Sequence, residues 1–135
     1  MRVFICYSWR DIRAKNCLYL RLAGRFDLWV DSWSLRLGGL LDSEIEGALQ
    51  SSGALILLWS KNAKASRWVR NELAYFLNLS DLFAQHRIVI PVCLDNASLP
   101  VRCAQLLRVE LRDRMFSKEN WDAIEEHLMS SAILI

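Results

Sequence analysis

Five short apolar runs punctuate the chain: Val3–Ser8, Phe26–Val30, Ala54–Ser60, Arg87–Leu94 and Leu107–Leu111. The first, third and fourth are nearly continuous in apolar residues, the signature of strands covered on both faces. Between the runs the pattern changes to a helical period. Asp11–Leu22 brings Ile12, Leu18 and Leu22, with Cys17 beside them, onto one stripe. Ser43–Ser51 does the same with Ile45, Ala48 and Leu49, and Trp68–Leu79 with Val69, Leu73, Phe76 and Leu77. Ser117–Leu128 carries Trp121, Ile124 and Leu128 behind a serine at the cap position, Ser117. The fourth connection, Asp95–Gln105, contains Pro and Asn and has room for only a short helix.

Strands alternating with helices imply right-handed βαβ crossovers. The expected fold is therefore a single α/β domain of the flavodoxin-like type, a five-stranded parallel sheet with helices on both faces, spanning residues 1–135. Such sheets bind ligands beyond the carboxyl ends of their strands. That places any site in the loops Ser8–Asp11, Asp31–Leu41, Lys61–Trp68 and Asp95–Arg102.

Composition narrows the function more than the fold. A chain of 135 residues, 53% apolar and 24% charged, is ordinary for one globular domain and buries about 70% of its unfolded surface. A net charge of +2 with scattered Lys and Arg gives no footprint for nucleic acid. The longest uninterrupted apolar stretch, Ala54–Trp59, is far short of the ~18 residues of a membrane span. An apolar strand by Val3 leaves no room for a signal peptide. Cys6, Cys17, Cys93 and Cys103 form no CxxC pair and have no histidine nearby, so a zinc site is not expected. Cys6 and Cys93 read as small core residues, and this usage suits a reducing cytoplasm. His86 and His127 stand where neither serves a Ser-His-Asp or Cys-His arrangement. The phosphate-binding and dinucleotide-binding glycine fingerprints are absent, so a nucleotide would be substrate and not resident cofactor.

One resemblance runs through the whole chain. Val3-Phe4-Ile5-Cys6-Tyr7-Ser8-Trp9-Arg10-Asp11 resembles the first signature segment of TIR (Toll/interleukin-1 receptor) domains, a strand ending in a Tyr-Ser step before a charged helix start. Leu28-Trp29-Val30-Asp31-Ser32-Trp33-Ser34-Leu35-Arg36-Leu37-Gly38 resembles the second strand and the long loop after it. Glu44–Ser52 is similar to the following helix, Ala54–Ser60 to the third strand, and Ser66-Arg67-Trp68-Val69-Arg70-Asn71-Glu72-Leu73 to the Trp-containing helix beyond. Ile88–Val92 and Asn120-Trp121 complete the order. The compact Leu-Arg-Leu-Gly loop is nearest the bacterial kind. At Leu41 the chain departs from the Trp that the family often has there.

The resemblance implies one of two activities. Some TIR domains are assembly modules that bind other TIR domains. Others cleave the nicotinamide–ribose bond of NAD, giving ADP-ribose or a cyclic form of it, in defence and cell-death signalling such as antiviral innate immunity. The expected reading is the NAD hydrolase, with Glu44 as the catalytic carboxylate and NAD as substrate, without cofactor or metal. Tyr7, Ser8, Trp9, Arg10, Trp33 and Arg36 are the implied substrate contacts, the aromatics stacking on a ring and an arginine meeting phosphate. Glu46 has a structural alternative, since Ser43-x-x-Glu46 has the spacing of a capping box. Leu35, Leu37, Gly38, Gly39 and Leu41 form the implied assembly loop, in which exposed apolar side chains call for a partner and glycines permit a change of shape.

The rival reading is a non-catalytic adaptor acting by TIR–TIR contact, which needs neither Glu44 nor aromatics at the first loop. A phosphoacceptor receiver of similar topology would want clustered acids where Cys6-Tyr7-Ser8 stands. The closing Ala-Ile-Leu-Ile reads as the point where a longer protein was cut, with this domain at its N-terminus.

Overall fold

A computed structural model describes residues 1–30, 43–83, 87–111 and 117–133. Strands β1 (Arg2–Cys6), β2 (Asp27–Val30), β3 (Ser52–Trp59), β4 (Ile88–Cys93) and β5 (Val109–Glu110) form one sheet in the order β2-β1-β3-β4-β5. Every neighbouring pair is parallel. The helices are α1 (Ile12–Leu22), α2 (Ser43–Ser51), α3 (Lys61–Ala65), α4 (Arg67–Phe83) and α5 (Lys118–Ile133), with 3₁₀ turns at Trp9–Asp11 and Val101–Cys103.

The period-2 alternation along the strands sorts the core into two layers. Val3 and Ile5 of β1 and Tyr7 just after it, with Ala54, Ile56 and Leu58 of β3, meet Leu18 and Leu22 of α1 and Trp121, Ile124 and Leu128 of α5. On the other face Phe4 and Cys6, with Leu55, Leu57 and Trp59, meet Ile45 and Leu49 of α2 and Val69, Leu73 and Phe76 of α4. Both faces of β3 are covered, which is why its sequence reads as an unbroken apolar run. Each fully buried Leu or Ile there contributes about 1.5–3 kcal/mol.

The elements follow the apolar pattern with three differences. Ser60, at the end of β3, accepts a hydrogen bond from Ala63 N and starts a short helix, α3, inside what the sequence presents as a loop. Strand β5 keeps only two residues of its apolar run, although Leu111 N still donates to Cys93 O at 2.9 Å. The capping-box reading of Glu46 is corrected: Ser43 is itself helical, and Glu46 makes no hydrogen bond among the described residues. At α5 the serine cap is present, with Asn120 N donating to Ser117 Oγ at 3.4 Å. None of the four cysteines forms a disulfide. Burial pushes the Cys103 thiol up, against a smaller opposing pull from Arg102.

Candidate functional site

The chain leaves β1 toward β2 on one side and returns past β1 to β3 on the other, so the order reverses between β1 and β3. In open α/β sheets such a reversal marks the ligand crevice, which here falls at the carboxyl edge between the turn after β1 and the loop after β3.

Two loops are tied together there by Asp11. Its Oδ2 accepts from Ser60 Oγ, and its Oδ1 accepts from Asn62 Nδ2 at 3.0 Å. Ser60 Oγ in turn accepts from Ala63 N at 3.0 Å, so one hydroxyl both starts α3 and holds the first loop. Asp95 extends the lattice to the β4 loop, accepting from Lys61 N and from Ala97 N, both at 2.9 Å. Asp11 makes no side-chain cap on α1, because its carboxylate is committed across the crevice.

On this frame the first turn divides its four candidate residues. Tyr7 is 5% exposed and its ring packs in the α1/α5 layer, with Lys15 Nζ 5.6 Å from the ring centre. Of the two aromatics at this turn, Tyr7 belongs to the core layer and Trp9 carries the open face. Ser8 is also buried; its hydroxyl accepts from Arg10 N at 3.3 Å and its carbonyl from Asp11 N at 2.8 Å, fixing the turn. Trp9 and Arg10 are exposed, with the guanidinium 4.9 Å from the Trp9 ring centre. A flat aromatic and a cation thus stand side by side, the pairing that a nucleotide's ring and phosphate can use.

Glu44 lies in the first turn of α2, which starts at the same carboxyl edge. It is exposed and has no hydrogen-bond or ion-pair partner among the described residues, while the helix N-terminus favours its charge. Trp33 and Arg36, with the assembly-loop residues Leu35, Leu37, Gly38, Gly39 and Leu41, lie outside the described residues.

One carboxylate escaped the sequence reading. Glu72 of α4 is 1% exposed, and its Oε1 is 3.4 Å from Cys6 Sγ at the end of β1. The same thiol is 3.6 Å from Val69 O, so it can donate its one proton to either acceptor. Burying a carboxylate is expensive unless hydrogen bonds or function hold it there, and such groups gather at functional sites. The signal was present in the sequence. Glu72 is three residues after Val69 and four before Phe76, which puts a charged side chain on the apolar stripe of its helix. One turn earlier, the buried Trp68 indole N–H has no acceptor among the described residues. No cluster of three or more metal-type ligands occurs among the described residues.

With this geometry in place, the chain can be set beside known proteins. A family model described as TIR domain matches residues 3–129. Among solved structures, the TIR domains of the activated Roq1 resistosome directly recognizing the pathogen effector XopQ are similar at 26% identity with a TM-score of 0.63. The match covers 72% of this chain and 59% of that one, so the chain spans less than two thirds of its relative. No curated protein matches the chain.

Proposed function

The chain belongs to the TIR domain family, and from that premise we propose that it cleaves the nicotinamide–ribose bond of NAD as the signalling domain of a longer cytoplasmic protein. The observation that carries this reading is the exposed Trp9–Arg10 pair on the turn after β1, with the buried Glu72 beside Cys6 at the end of that same strand; Glu44, in the first turn of α2, offers a second carboxylate.

The reaction asks little of the protein. Nicotinamide leaves with the electrons of its bond to C1′ and becomes neutral, so no general acid is needed. Water adds to C1′ and loses a proton, giving ADP-ribose; attack by a ring nitrogen of the adenine gives the cyclic product instead. The step to be stabilised is the positive charge developing on the ribose, and one fixed carboxylate supplies that. Trp9 stacks on a ring of NAD and Arg10 meets its phosphates, while Ser8 and Tyr7 hold the turn from beneath. Trp33 and Arg36 complete the contacts from the long loop, whose compact Leu-Arg-Leu-Gly form is the basis for the bacterial subtype.

Two carboxylates can take the central role. The resemblance points to Glu44. A specific observation favours Glu72: a charge acts far more strongly on a developing charge away from water than facing it, and Glu72 is buried where Glu44 is exposed.

Self-association is part of the proposal. The Roq1 TIR domains belong to a resistosome, and the loop 31–41 here carries apolar side chains suited to a partner copy. The deciding experiment incubates the protein with NAD from nanomolar to high micromolar enzyme and separates the products by chromatography. Nicotinamide should appear with ADP-ribose or its cyclic form, with a rate per molecule that rises with protein concentration. Intact NAD at the highest concentration, also with an oligomeriser fused to the C-terminus, would leave the adaptor reading in place.

A further inference from the structure

A concavity lies on the sheet face covered by α4, where the loops after β3 and β4 meet that helix. It is a groove of about 470 Å³ between α4 and the segment after β4, floored by Trp59, Leu73, Leu77 and Leu99. Its size falls within the ~300–1,000 Å³ range of small-molecule sites. Every charged residue that lines it is a cation: Lys64, Arg70 and Arg102. We propose that this groove binds a small apolar molecule carrying one carboxylate, of the size of a medium-chain fatty acid.

Three observations support that occupant. The wall is fixed in advance, because Trp59 Nε1 donates to Ser98 O and Lys64 Nζ to Ser98 Oγ, each at 2.9 Å, and Asp95 accepts from Ala97 N in the same loop. A wall already ordered need not be ordered on binding. Two of the cations, Lys64 and Arg70, also have charge to spare. Lys64 is held by a neutral hydroxyl, and Arg70 by the Ser66 carbonyl at 3.4 Å, and neither has a carboxylate partner among the described residues. Finally, an apolar tail laid on the floor removes water from beside those cations, which strengthens their attraction for an anionic head. The cations come from both sides, Lys64 and Arg70 from the α3–α4 side and Arg102 from the opposite 3₁₀ turn, so one head group can be reached from two directions. The site is independent of the NAD reading.

Isothermal titration calorimetry with decanoate, below its micelle-forming concentration, tests the groove, with decanol as the uncharged probe. Decanoate should bind saturably. Decanol, and decanoate on an Arg70→Gln/Arg102→Gln variant, should bind about tenfold more weakly or worse, as befits lost charge-assisted contacts. Ala74→Trp, which fills the groove from an exposed helix position, should abolish binding while circular dichroism stays native. Absence of saturable binding, equal affinity for decanoate and decanol, or unchanged affinity in both variants would each overturn the proposal. So would a wild-type dimer in sedimentation velocity that Ala74→Trp dissociates, since the occupant would then be a second copy.

Discussion

The two edges of the sheet are both rich in charge, yet they use it differently. At the amino edge, charged side chains close on the protein's own frame. Arg2 Nε pairs with Asp27 Oδ2 at 3.1 Å, and its NH1 donates to Ser51 Oγ at 2.8 Å, joining β1, β2 and the end of α2. Arg87 donates to Gln50 O at 2.8 Å and to Ser52 O at 3.3 Å, supplying from the residue before β4 the cation that the last turn of α2 lacks. At the carboxyl edge only part of the charge is consumed this way. Asp11 and Asp95 bind loop to loop, whereas Trp9, Arg10 and Glu44 stay exposed and Glu72 is buried beside Cys6. Charge spent on holding the frame needs no further explanation. An edge that keeps a surplus on a rigid base is arranged for something other than folding.

The largest expected effect tests that surplus. Glu72→Gln keeps the shape of the side chain and removes its charge, and should lower NAD cleavage at least about a hundredfold if the carboxylate stabilises the ribose cation. Glu44→Ala should shift stability by no more than about 0.5 kcal/mol, as exposed positions do. Steady-state kinetics and thermal melts on the two variants assign the role. Activity lost in Glu44→Ala and kept in Glu72→Gln would return it to the residue named by resemblance.

Asp11→Ala comes next and probes the base rather than the surplus. Two side-chain hydrogen bonds are lost and Ser60 and Asn62 are left to find water, a cost of about 1–3 kcal/mol. Because the bonds join the first loop to α3, KM for NAD should rise more than kcat falls, and Asp11→Asn should recover part of it. An Asp11→Ala protein with native KM would show that the turn holds its shape without this clamp.

A smaller effect is expected from Trp9→Ala. The ring is 47% exposed, so its removal should barely move the melting temperature while raising KM severalfold through the loss of stacking. An unfolded variant by circular dichroism would mean that the ring packs on the fold and not on a ligand.

How much of this was legible in the sequence depends on the range of the interaction. The apolar runs of β1, β3 and β4 announce strands buried on both sides, and the 3.6-residue stripes announce α1, α2, α4 and α5. The short helix α3 is hidden because five residues give no periodicity, only the cap at Ser60. Asp11 reads locally as a helix-starting acid, since its true partners are 49 and 51 residues away and no local pattern records them. Tyr7 reads as a residue at the ligand edge, and only the packing of α1 and α5 reveals that its ring faces inward. Glu72 was legible as a charge on an apolar stripe, but the resemblance drew attention to the acids at the start of α2 instead.

The smallest effect belongs to the amino edge and is the control for the whole comparison. The Arg2 and Asp27 side chains are 35% and 62% exposed, so water screens the pair and holding both side chains costs entropy. Such pairs are worth about 0–1 kcal/mol. Arg2→Ala should therefore lower stability by less than about 1 kcal/mol, with the apolar ladder from Val3 to Cys6 keeping β1 in register between β2 and β3. Arg87→Ala should cost somewhat more, because a half-buried guanidinium then leaves two carbonyls, those of Gln50 and Ser52, to be satisfied by solvent. Neither variant should change kcat/KM for NAD beyond twofold or so, since additivity holds for sites without shared partners. The strands between the edges are packed on both faces, but among the described residues no side-chain hydrogen bond runs from Arg2 or Arg87 to the turn after β1. Denaturant melts together with NAD kinetics on both variants check the claim. A tenfold loss of kcat/KM from either, at unchanged stability, would mean that the amino edge tunes the site and that the two edges are one system.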